Sequence, residues 1–215
     1  MVATSPTQES LFSAQDGQRL AGGFLTIAQT LALAELGNLV LDASSLLISA
    51  GVRLGVANRF YPGVVIEAAP GAVVTIGRGN TFWPGAVITV RAGTVTIGND
   101  NQFGPGGFTA SLDEAGAISI GSRCRCRDGA SLFRGSVLGD GAQVLGPIQV
   151  QDCFLAAGGS FAEPAPDARG GVLKGVGRAR HLTIGRGQVI EGSGRFDPAD
   201  VKPQSFHHPS ARAGS

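Results

Sequence analysis

Apolar residues recur along this chain at intervals of six, a spacing that fits neither the 3.6-residue period of an amphipathic helix nor the two-residue period of an isolated strand. Leu54, Phe60 and Ile66 form one set, Ile76, Phe82 and Ile88 a second, and Ile97, Phe103 and Thr109 a third. From Ile120 the beat runs unbroken through Cys126, Leu132, Leu138, Val144, Val150 and Ala156. A beat of six describes a short strand that turns residues i and i−2 to one side, then a bend before the next strand. Val74 with Ile76, Val95 with Ile97, and Ile118 with Ile120 are predicted inward pairs of this kind.

A longer repeat lies over the short one. VRLGVANRFYPGVVI, VTIGRGNTFWPGAVI, VTIGNDNQFGPGGFT and ISIGSRCRCRDGASL align, and their equivalent residues Leu54, Ile76, Ile97 and Ile120 are 22, 21 and 23 residues apart. Such offsets are one turn of a β-solenoid with small insertions, and self-similarity of this length identifies a repeat architecture before any single element is assigned. Glycines after the strands (Gly55, Gly77, Gly98, Gly121, Gly139 and Gly185) and the pairs Pro62-Gly63, Pro84-Gly85 and Pro105-Gly106 supply the bends. The sequence therefore predicts an all-β, single-stranded parallel β-helix.

Stacked turns place like residues over like. Asn58, Asn80 and Asn101 form a predicted inward column that Cys124 continues, and Phe60, Phe82 and Phe103 form another that Cys126 continues. An inward asparagine column can satisfy its amides from turn to turn, whereas a lone buried asparagine is costly. On the outside, Tyr61 and Trp83 share one predicted column, and Val65, Val87 and Phe108 another. A stacked apolar stripe on one face suggests a subunit interface.

The coil is expected over 48–196, after an N-terminal segment and cap at 1–47 and before an exposed tail at 197–215. Residues 1–20 read as loose and polar. FLTIAQTLALAEL, residues 24–36, is ambiguous between a short helix and further β turns. One long loop, 158–180, interrupts the coil before Ile184, Ile190 and Phe196 restore the beat. Loops of that length are commonly functional, and this one concentrates Lys174, Arg178 and Arg180 just before His181.

Composition sharpens this picture. Glycine numbers 34 of 215 residues, about twice its ordinary share, which fits a chain of many tight corners. A net charge of +1 argues against nucleic acid as a partner, because no global basic field backs the arginines at 123, 125, 127 and 134. No apolar run approaches about 18 residues and the N-terminus lacks a secretory pattern, so a cytoplasmic location without a membrane partner is expected. Three cysteines without disulfide or zinc spacing read as reduced core thiols, and no metal is expected.

The phrases Ile76-Gly77-Arg78-Gly79-Asn80, Ile97-Gly98-Asn99-Asp100-Asn101 and Ile184-Gly185-Arg186-Gly187, set in this beat, resemble the bacterial hexapeptide-repeat family over about residues 48–156 and 182–196. The resemblance implies a left-handed parallel β-helix of triangular section, usually a homotrimer, although ordinary parallel crossovers are right-handed. Turns of 21 to 23 residues would also suit a right-handed β-helix, which stands as the alternative. Many members are acyl- or acetyltransferases drawing on coenzyme A or an acyl carrier protein, with a histidine as general base. That implies His181 as the catalytic base here and Lys174, Arg178 and Arg180 as holders of the phosphates of a coenzyme A thioester. The first five turns contain no histidine, which is incompatible with the three-histidine zinc site of relatives resembling γ-class carbonic anhydrases. Two functions follow: acyl transfer from acyl-coenzyme A to a small hydroxyl or amine acceptor, or a non-catalytic trimeric scaffold that binds a protein partner.

Overall fold

A computed structural model describes residues 8–208. They build a parallel β-helix in which each short strand pairs in parallel with its equivalent one turn later. Three faces surround the core. Face one begins with Leu39–Val40, Arg59–Phe60 and Thr81–Phe82, face two with Leu47–Ile48, Val65–Ala68 and Ala86–Val90, and face three with Arg53–Leu54, Val73–Ile76 and Thr94–Ile97. Faces one and two continue down to the strand Val172–Arg180, and face three ends at Thr183–Ile184.

The six-residue beat fills the interior as expected. Phe60, Phe82 and Phe103 are fully buried in one column, their ring centroids 5.2 and 4.9 Å apart. Each such burial contributes about 1.5 to 3 kcal/mol, and the stacking adds about 0.5 to 1.5. Beside them runs a hydrogen-bonded asparagine column. Asn58 Oδ1 accepts from the N–H and Nδ2 of Asn80, Asn80 Oδ1 accepts from Asn101 N–H, and Asn101 Oδ1 accepts from Cys124 N–H. The side-chain amides also cap backbone carbonyls, as Asn80 Nδ2 does at Gly98 and Asn101 Nδ2 at Gly121. The column starts one turn earlier than the repeat alignment indicates, at buried Asn38, whose Oδ1 receives both Asn58 donors.

The glycines that follow the face-three strands are needed for closeness rather than for an unusual backbone angle. A Cβ on Gly98 would lie 2.6 Å from the carbonyl oxygen of Gly121, and one on Gly77 2.6 Å from that of Gly98. Neighbouring turns touch backbone to backbone there, and any larger residue would wedge them apart.

The fold departs from the sequence reading at several places. In the turn containing Phe103, the extra residue in Gly104-Pro105-Gly106-Gly107 shifts the register, so Ala110 rather than Thr109 pairs with Ile88 and points inward. Phe108 follows it inside, 1% exposed with its ring centroid 4.6 Å from that of Phe103, and so leaves the outward column to Val65, Val87 and Thr109. The later beat shortens by one at its end, where Leu155 rather than Ala156 pairs with Leu138 and is buried. Coiling starts at Leu39, not at 48.

The ends also carry more structure than their polarity suggests. Gln8–Ala21 is a helix, and Ile27–Ala32 is a second one with a capping box between Thr26 and Gln29. Buried Arg19 anchors the first helix by donating to the carbonyls of Leu25, Ala43, Ser44 and Leu46 and to Thr30 Oγ1. The interruption expected over 158–180 ends early, because Val172–Arg180 is a nine-residue strand. Its first half pairs with Gln143–Leu145 on face one and its second half with Ile148–Gln151 on face two, which joins the two faces into one sheet. The expected tail is not free up to His208: Lys202–Pro203 pairs antiparallel with Gln188 and Val189, and Gln204 is buried. The remaining tail positions, like the first seven residues, lie outside the described residues.

Candidate functional site

Four turns near the C-terminal end of face one carry two outward-pointing columns. Arg125, Gln143, Val172 and Val189 are in register in one, and Arg127, Leu145, Lys174 and Glu191 in the other. The residues between them, Cys126, Val144, Leu173 and Ile190, are buried in the core and fix the direction of their neighbours.

Two non-repetitive segments raise walls over this floor. Phe161 and Arg169 come from the loop before Val172, and Gln204, His207 and His208 from the segment that folds back after the last turn; together they enclose a groove of about 310 Å³. The walls are tied to each other and to the coil. Gln204 Nε2 donates to the carbonyls of Gly170 and Gln188, and Asp167 Oδ1 accepts from Ser205 N–H. That hydrogen bond from Ser205 holds the Asp167 carboxyl below its ordinary pKa. The volume is at the small end for ligand pockets and suits a small molecule.

Charge in the groove is uneven. Lys174 Nζ is 2.7 Å from Glu191 Oε1, and His207 Nδ1 is 3.2 Å from Glu191 Oε2. The hydrogen bond from Lys174 leads in holding the Glu191 carboxyl below its ordinary pKa. Arg127 is paired with Asp128 at 3.0 Å. Arg125 and Arg169 have no carboxylate partner among the described residues. Arg125 lies over the Phe161 ring, its Cζ 4.2 Å from the centroid, and its Nε is a buried donor without a partner. Desolvation, with the nearby Arg127 charge, lowers the pKa of Arg125. Arg169 uses Nε on the carbonyl of Glu163, while one terminal nitrogen stands 3.5 Å from His208 Nε2.

The four residues singled out in the sequence are not brought together. Lys174 is on face one and lines the groove. Arg178 and Arg180 are exposed on face two, opposite Gln149 and Gln151. His181 is at the corner beyond, in the left-handed backbone region with φ 54°, over Asp152 at φ 51°. Its side chain is exposed beside an open depression lined by Asp152, Phe154 and Thr183, and no hydrogen bond orients the ring among the described residues. The sequence pointed to His181 as the base, left His207 within the expected tail 197–215, and did not pick out Arg125, Arg169, Phe161 or Glu191 for a ligand site. The one available signal was the pair His207-His208 in a segment otherwise read as tail.

The three cysteines are buried and free, and among the described residues no group of three His, Cys, Asp or Glu is placed to hold a metal ion. No described helix is long and apolar enough to cross a membrane. No protein-family model matches the chain, and no curated protein is significantly similar to it.

Proposed function

We propose that the protein is a small-molecule acyltransferase of the hexapeptide-repeat kind, a left-handed homotrimer working through the groove on face one. The observation that carries this reading is the contact between His207 and Glu191 at a partly apolar groove. In this reading His207, rather than His181, is the base. Its Nε2 takes the proton from an acceptor hydroxyl or amine as that group attacks the thioester carbonyl carbon of an acyl-coenzyme A. The tetrahedral adduct then expels the coenzyme A thiolate, which recovers the proton from the imidazolium. Glu191 positions the ring and stabilises the transient positive charge, and Lys174 keeps Glu191 ionised.

The test is acetyl transfer from acetyl-coenzyme A to a panel of small hydroxyl and amine acceptors, read as thiol release. Turnover that falls at least a hundredfold in His207→Ala and is unchanged in His181→Ala is the expected result. Turnover lost in His181→Ala and kept in His207→Ala would overturn the assignment of the base. A trimer that neither binds acetyl-coenzyme A, by thermal shift, nor transfers acetyl groups would overturn the enzyme reading. The second reading, a non-catalytic scaffold, rests on an exterior column: Leu41, Tyr61 and Trp83 occupy one rung position, with the Tyr61 and Trp83 rings stacked 6.0 Å apart.

A further inference from the structure

We infer that the acceptor carries a carboxylate, and that Arg125 and Arg169 anchor it against Phe161 in the groove on face one. The inference rests on the groove being the working site; it adds what the groove selects. Arg125 and Arg169 are half-buried, and a cation partly withdrawn from water ordinarily takes a counter-charge. Here the neighbours are paired, Arg127 with Asp128 and Lys174 with Glu191, while Arg125 and Arg169 have no carboxylate partner among the described residues. Arg125 also retains an unpartnered buried Nε, held in place by the Phe161 ring. A guanidinium immobilised in this way has its planar fork of donors prepared for a two-oxygen acceptor.

The surroundings narrow the anion. Leu145, Val172 and Val189 give the floor an apolar stretch between the arginine end and Glu191. The carboxylate of Glu191 at the far end repels a second negative charge on the ligand. A monocarboxylate with a short carbon chain and a hydroxyl or amine at its other end satisfies both ends: the carboxylate meets the guanidinium groups and the nucleophile meets His207. A phosphate dianion shares the oxyanion chemistry but carries the second negative charge that the Glu191 carboxylate disfavours.

Arg125 gives the test a readout that a merely structural residue would not. In the full chain without ligand, Arg125→Met is expected to melt at the same temperature as wild type or higher, because it removes an unpaired desolvated charge. Thermal shift is then measured, with no acyl-coenzyme A present, for 3-hydroxybutyrate, its methyl ester and inorganic phosphate. 3-Hydroxybutyrate is expected to raise the wild-type melting temperature in a concentration-dependent way, and the ester and phosphate to do so only at concentrations at least tenfold higher. Arg125→Met and Arg169→Gln should each weaken the 3-hydroxybutyrate response at least tenfold, and Arg125→Lys should recover part of it. Equal responses to acid and ester, a phosphate response matching the carboxylate one, or an undiminished response in Arg125→Met would each overturn the assignment. Carboxylate binding that persists in a protein without acyl transfer would sink the proposed reaction and leave this site standing.

Discussion

Cys124 Sγ lies 3.1 Å from the carbonyl oxygen of Gly139, in the place that Asn101 Nδ2 takes toward Gly121 one turn earlier. The thiol stands in for an amide at the foot of the asparagine column: its backbone N–H donates to Asn101 and its side chain donates onward. Cys124→Ala should therefore cost about 1 to 3 kcal/mol by removing a buried thiol and one of the two hydrogen bonds to that carbonyl, which Ala142 N–H also serves. Cys124→Asn, which extends the column by one turn, should stay within about 1 kcal/mol of wild type. Urea unfolding of the two variants checks the pair, and equal losses would show that the column ends at Asn101.

Asn80 is the middle of the same column and serves as acceptor and donor at once. Asn80→Ala should cost about 2 to 5 kcal/mol from a small cavity and several unpaired groups. Asn80→Asp should be worse at neutral pH, because a carboxylate would face the Gly98 carbonyl and Asn58 Oδ1, which Asn80 Nδ2 now serves. Protonating that carboxyl restores one donor, so the aspartate variant should gain stability as pH falls from 7 toward 5, unlike the alanine variant. Chemical unfolding across that range separates the two.

Burial pushes the Cys124 thiol from its ordinary 9.0 up to about 12, and desolvation raises Cys126 and Cys153 as well. The native state keeps these protons above pH 9, where the unfolded chain releases them, so this contribution is full below about pH 9 and fades as pH rises toward 12. Each thiol contributes a slope of about 1.4 kcal/mol per pH unit inside its window. Unfolding free energy of wild type should accordingly fall more steeply between pH 9 and 11 than that of Cys124→Ser. Parallel slopes would mean that Cys124 ionises as freely in the fold as outside it.

Arg19 is 4% exposed and bonds to four carbonyls and one hydroxyl, with no carboxylate partner among the described residues. Arg19→Ala removes the donors shared by Leu25, Ala43, Ser44 and Leu46, so the helix Gln8–Ala21 should release from the coil at a cost above about 3 kcal/mol. Proteolysis within that helix, rapid in the variant and slow in wild type, is the direct measurement. Resistance unchanged from wild type would mean that other contacts hold the helix.

The coil was legible because its interior repeats. Phe60, Phe82 and Phe103 announce themselves at offsets of 22 and 21 residues, and each turn corroborates the next. Errors arose where a single residue was gained or lost, as between Phe103 and Ala110 and at Leu155, because one step exchanges inside for outside. Asn38 is hidden because Glu35 and Val40 stand where the other turns have a Gly three positions before the Asn and a Phe two positions after it. The groove was legible only in part. Its floor follows from the beat, but Arg125 meets Phe161, Gln204 meets Gly170 and Asp167 meets Ser205 across long separations with no periodicity to betray them. His181 drew attention by lying next to a basic run, yet alternation along Val172–Arg180 and the corner after it send those side chains in different directions.

Val172–Arg180 has a mechanical consequence. Elsewhere a corner separates the strands of faces one and two, so a rung can loosen on one wall while the other stays closed. This strand is bonded to the turn before it along both walls, and Gln188–Arg195 runs beside it from Val172 to Arg178. The floor beneath Lys174 and Glu191 is thus clamped by a continuous ribbon, and fraying from the C-terminal end must part both walls together.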